Sequence, residues 1–136
     1  SLDSAIAVSD GVKWVCLVRS RVKRYLADSL AKRHGRRHLQ YRLLAVLVYL
    51  AIADHLGEIR QIVIDRDYSG EVAENVIKNY LLAFIRRKRP EVGASFLRIE
   101  NIKGSEADQL ARAVFQGRSH PDSVLTLQEV RALLEQ

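Results

Sequence analysis

Cysteine is almost absent from this chain: Cys16 stands alone, so no internal disulfide can form and a reducing compartment is expected. Methionine is missing altogether, so a start that is either processed or left over from expression is expected. No apolar run reaches the ~20 residues of a membrane-spanning helix. The longest, Leu43 to Ala53, has eleven residues and suits a buried helix. With no secretory leader visible either, a cytoplasmic protein with no membrane partner is the expectation. Acid is scarce in one region only. Glu is absent from residues 1–57, and between Gly11 and Ala53 ten Lys or Arg residues face the single acid Asp28.

What is present describes one globular domain over residues 1–136, 48% apolar and 28% charged, long enough to bury a core. The net charge of +6 matters less than its distribution. After the basic stretch the balance reverses: Asp54, Glu58, Asp65, Asp67, Glu71 and Glu74 stand against Arg60 and Arg66. Arg86-Arg87-Lys88-Arg89 then closes a helix. A polyanion such as nucleic acid is the most economical partner for such a surface. The competing account is a set of solvated faces, with the 86–89 cluster well placed at a helix C-terminus.

Ala5–Val8 and Val12–Val18 flank Ser9-Asp10-Gly11, a strong hairpin signal. Residues 20–38 are ambiguous; Arg21–Leu26 reads as a possible third, edge strand, and Gly35 disfavours a helix. Gln40–Leu56 is a helix, apolar nearly all round and therefore deeply packed, ended by Gly57. A strand at 62–66 and a helix from 70 to about 88 follow. After a turn at Pro90 and Gly93, Phe96–Ile102 is a strand and Glu106–Gln116 a helix opened by Ser105. Gly117–Asp122 is a loop, and Thr126-Leu127-Gln128-Glu129 opens a last helix with a capping-box pattern.

The segment Ile62-Val63-Ile64-Asp65-Arg66-Asp67-Tyr68 carries the most chemical information. It is a β-branched run ending in two acids, and ligands of open α/β sheets sit at the carboxyl ends of strands. This segment, Ser9-Asp10-Gly11 in the opening hairpin, and Ile102-Lys103-Gly104 followed by Asp108-Gln109-Leu110-Ala111-Arg112-Ala113 occur in the order found in the ribonuclease H-like superfamily. The chain resembles that family over most of residues 3–116. The resemblance implies an α/β fold with a mixed sheet, antiparallel N-terminal strands and helices on both faces. It also implies hydrolysis of nucleic acid phosphodiesters by Mg²⁺ or Mn²⁺ held on carboxylates, since hard cations want oxygen ligands. Carried over by position, Asp10, Asp65 and Asp108 are the catalytic metal ligands, and Asp3 at the start of the first strand is the rival to Asp10.

The pattern departs from the family where the first long helix should carry a Glu: Leu39-Gln40-Tyr41-Arg42-Leu43-Leu44 contains no acid. The His that often precedes the last Asp is missing too. A non-catalytic module binding nucleic acid or protein through its basic face is therefore an alternative. A second is the Toprim fold, whose Asp-x-Asp signature Asp65-Arg66-Asp67 resembles. Each acid has a plainer account as well: Asp10 as hairpin chemistry, and Asp108, three residues after Ser105, as a capping partner. His34 and His38 have a spacing that would share one helix face, but Arg36 and Arg37 between them favour a solvated basic tract. Cys16 reads as a small core hydrophobe. Trp14 and Tyr25 are stacking candidates whose commoner role is packing.

Overall fold

The computed structural model describes residues 4–9, 13–65, 71–100 and 106–135. The chain opens with the expected antiparallel pair, β1 (Ser4–Ser9) and β2 (Lys13–Val18), in register from Ser4↔Val18 to Ser9↔Lys13. Residues 20–34 then depart from expectation. They form a helix, α1 (Ser20–His34), and not an edge strand. Val22, Leu26 and Leu30 recur every fourth residue, so a helix buries all three on one face. A strand would place Arg24 on the same face as Val22 and Leu26. Gly35 ends the helix rather than weakening it: at φ 75° and ψ −173° it holds a conformation nearly reserved for glycine.

The next helix, α2 (Leu39–Ile52), buries Ala45 through Tyr49 as well as Ala51 and Ile52. An apolar surface on all sides is what a central helix requires, and α2 packs against α1, α3 (Glu71–Lys88) and β1. The helix α3 links two parallel strands, β3 (Ile62–Asp65) and β4 (Leu97–Glu100), in register from Ile62↔Leu97 to Asp65↔Glu100. Ile62, Ile64, Leu97 and Ile99 face the core, while Val63 and Arg98 are exposed.

On the other side of the hairpin lies α4 (Glu106–Phe115), where Val114 and Leu110 cover Val15 and Leu17. A two-residue strand that the sequence did not announce, β5 (Ser123–Val124), pairs parallel with β2. Asp122 sets it in place. Its carboxylate accepts the Val15 N–H at 2.7 Å while its own N–H donates to the Val15 carbonyl at 2.8 Å. The final helix, α5 (Leu127–Leu134), starts as expected, with the Thr126 hydroxyl accepting the Glu129 N–H at 3.1 Å.

The expected ribonuclease H-like mixed sheet is overturned. Among the described residues the strands form two separate small sheets, β1-β2-β5 and β3-β4, in a molecule dominated by five α-helices. Parallel pairing joins β2 to β5 and β3 to β4, and antiparallel pairing is confined to the hairpin. The physical reason is α1: once residues 20–34 bury a helical stripe, no third antiparallel strand remains, and β5 takes the place beside β2. Among the described residues no helix is long and apolar enough to cross a membrane.

Candidate nucleic-acid interface

The stripe that buries α1 also dictates what it exposes. With Val22, Leu26 and Leu30 inward, Arg21, Arg24, Asp28 and Lys32 lie on the solvent side. Arg33, Arg36 and Arg37 continue that exposed surface through the connection to α2. Among the described residues no carboxylate lies within ion-pair distance of Arg21, Arg24, Lys32, Arg33, Arg36 or Arg37. The first turn of α2 carries no acid either, so the positive end of its dipole adds to the same field.

This surface borders a ladder of rings between α1, α2 and α3. Tyr49 stacks on Phe84 at 5.3 Å, Phe84 meets Tyr80 edge-on at 5.2 Å, and Tyr80 meets His34 edge-on at 5.8 Å. Two guanidiniums cap the ladder, Arg87 at 4.7 Å from the Phe84 ring centre and Arg42 at 5.8 Å from that of Tyr80. Arg42 is held further by donating to the Arg37 carbonyl at 3.2 Å. At the exposed end, the Tyr80 hydroxyl lies 3.4 Å from His34 Nε2. Desolvation, then Arg42 and Arg33, push the His34 pKa below its ordinary value. Burial raises that of Tyr80, against the opposing pull of Arg42, Arg33 and Arg87.

The cluster at residues 86–89 divides. Arg86 donates to the Val92 carbonyl at 2.8 Å, and Arg89 to the carbonyls of Leu56 and Ile59, both at 2.9 Å. These two arginines hold the fold together, which leaves Arg87 and Lys88 for the surface. His34 and His38 do not share a helix face, because α1 ends at His34; His38, left-handed at φ 59°, stacks on Tyr41 instead. Cys16 is buried in the core, where desolvation raises its pKa. Tyr25 packs against that core beneath Arg131, 5.4 Å from its ring centre.

Of the expected acidic ligands, Asp3 and Asp10 lie outside the described residues, as does Asp67. Asp65 closes β3 in the two-stranded sheet. Asp108 belongs to α4, which packs on the hairpin strands, and is ion-paired with Arg112 at 3.3 Å. Glu100 was not singled out from the sequence, yet the register sets it beside Asp65 at the carboxyl ends of β3 and β4. The signal was present: Ile64-Asp65 and Ile99-Glu100 end their strands alike. Among the described residues no three His, Cys, Asp or Glu side chains form a group able to hold a metal ion. Comparison with family models, curated proteins and solved structures finds no match to this chain.

Proposed function

We propose that this chain is a nucleic-acid-binding domain that engages the phosphate backbone through the outer face of α1 and the connection to α2. One observation carries the reading: an exposed face of Lys and Arg, interrupted by Asp28 but with no described carboxylate in ion-pair range of Arg21, Arg24, Lys32, Arg33, Arg36 or Arg37, bordered by arginines held over aromatic rings. Such a field is costly to leave uncompensated and attracts a polyanion without need of sequence-specific contacts. A cytoplasmic location belongs to the same reading, since Cys16 needs no disulfide partner.

The test is oligonucleotide binding as a function of salt, read by fluorescence anisotropy. Combining Arg33→Glu, Arg36→Glu and Arg37→Glu is expected to weaken binding at least about tenfold at 0.1 M salt. It should also lower the log–log salt slope by about 2–3. The melting temperature should barely move, because these side chains are exposed. Salt-insensitive binding, or a triple variant that binds as the wild type does, sinks the proposal.

A second reading is metal-dependent phosphodiester cleavage with Mg²⁺ or Mn²⁺, and the side-by-side strand ends of Asp65 and Glu100 favour it. Under it, Asp65→Asn abolishes Mn²⁺-dependent cleavage of single-stranded and RNA–DNA hybrid substrates while leaving salt-sensitive binding in place. Absence of cleavage by the wild type with either ion would reject it.

A further inference from the structure

Three helices meet where α1 ends, α2 begins and the middle of α3 passes. The groups gathered there are of one kind. Among the described residues, the charges acting on His34 are Arg42 and Arg33, and those acting on Tyr80 are Arg42, Arg33 and Arg87, with no carboxylate among them. Arg42 cannot swing away cheaply, being tied to the Arg37 carbonyl at 3.2 Å and seated at the Tyr80 ring. The Tyr80 ring is itself fixed edge-on between Phe84 and His34. Its hydroxyl and the His34 ring nitrogen sit 3.4 Å apart at the exposed end, so both are within reach of a bound group.

A set of guanidinium, phenol and imidazole groups without a carboxylate, with Arg42 and Tyr80 held in place, is matched to a tetrahedral oxyanion. Resting on the nucleic-acid reading, we infer that this junction is a phosphate site, in which Tyr80, His34, Arg42 and Arg33 close on one phosphodiester of the bound strand. The site then has a property the broad basic face lacks. Without ligand, desolvation and the two arginines keep the His34 pKa below its ordinary value. A phosphodiester carries a negative charge into the cluster, offsets those arginines and favours the imidazolium. His34 therefore has a higher pKa in the complex than alone, and binding takes up a proton at this ring. By linkage, affinity rises as pH falls through the bound-state pKa and levels off below the ligand-free one.

The experiment is binding of a single-stranded oligothymidylate of about 20 nucleotides, at constant ionic strength between pH 8 and pH 6. For the wild type, affinity should rise by at least about threefold, below the tenfold per pH unit that one proton allows. His34→Gln should flatten that rise and weaken binding at every pH, most of all at pH 6. Tyr80→Phe should weaken binding several-fold throughout. The His34 ring resonance, followed by NMR, should titrate at higher pH with the oligonucleotide than without it. If the wild type binds with the expected salt sensitivity but His34→Gln keeps the same pH profile, the phosphate site is wrong and the broader reading stands. If no oligonucleotide binds at any pH, both fall.

Discussion

Replacing Arg89 by alanine is expected to lower the stability of the fold by about 2–3 kcal/mol, although the residue lies in what reads as a surface charge cluster. The helix α3 ends at Lys88, Pro90 prevents its continuation, and Arg89 turns back toward the segment before β3. One guanidinium nitrogen, Nη1, donates to the carbonyls of Leu56 and Ile59, at 2.9 Å each. Both residues are buried, so this one nitrogen pins the approach to β3 against the core. Hydrogen bonds from a charged donor contribute about 1.5–3 kcal/mol apiece, but two bonds to one nitrogen do not add fully. The Phe96 ring lies 5.2 Å below the guanidinium and loses its partner as well.

The remaining contact, Nε to Glu91 at 3.0 Å, is largely solvent-exposed and contributes little. Glu91's own backbone N–H, then Arg89, hold its carboxyl below the usual range. Its small contribution is therefore complete above the unfolded carboxylate pKa and is lost as pH falls through the folded one. A thermal melt of Arg89→Ala should show a fall of about 6–12 °C. Because the main acceptors are neutral carbonyls, most of that loss should persist in 1 M NaCl. Arg89→Lys should recover less than half, since an ammonium does not reproduce the planar fork. A melting temperature unchanged by Arg89→Ala would refute the role.

Arg89 also shows why charge counting read this surface only in part. Four basic residues in a row are visible in the sequence, but the carbonyl partners of Arg86 and Arg89 come from turns whose positions depend on the completed fold. Elements that announce their own ends were legible. Thr126 and Glu129 stand at cap spacing and make the cap, and the apolar surface of α2 matches its central position. Strand β3 was readable because Ile62 and Ile64 run straight into Asp65. By contrast, β5 has two residues and depends on the Asp122 carboxylate reaching Val15, 107 positions away in sequence. Glu100 escaped notice because its value comes from register with Asp65, a fact of pairing rather than of spacing. The mixed-sheet expectation failed where β3 and β4 pair apart from the hairpin and again at residues 20–34, and at the second place the reason is local. Read from Arg21 to Leu26 alone, apolar and basic residues fit an edge strand; Leu30 adds the third member of a four-residue repeat that only a helix buries.

That repeat makes Leu26→Ala the other large expected effect. Leu26 is 0% exposed, and α1 meets both α2 and α5. Truncation removes three carbons from a closed interior and leaves a cavity, at a cost of about 2–5 kcal/mol. Leu30→Ala should cost a similar amount, since Leu30 is equally buried one turn further on. Arg24→Ala should stay within about 0.5 kcal/mol, because the helix turns that residue to solvent. An edge strand predicts a different pattern, with Arg24 sharing the face of Leu26 and Leu30 lying beyond its end. Urea denaturation of the three variants separates the two. A small loss for Leu30→Ala together with a large one for Arg24→Ala would restore the strand and remove the basic face. The same helix carries the exposed arginines, so binding and stability can be read apart. Held well below its own midpoint, Leu26→Ala should bind oligonucleotide with the wild-type salt slope, since none of its charges has changed.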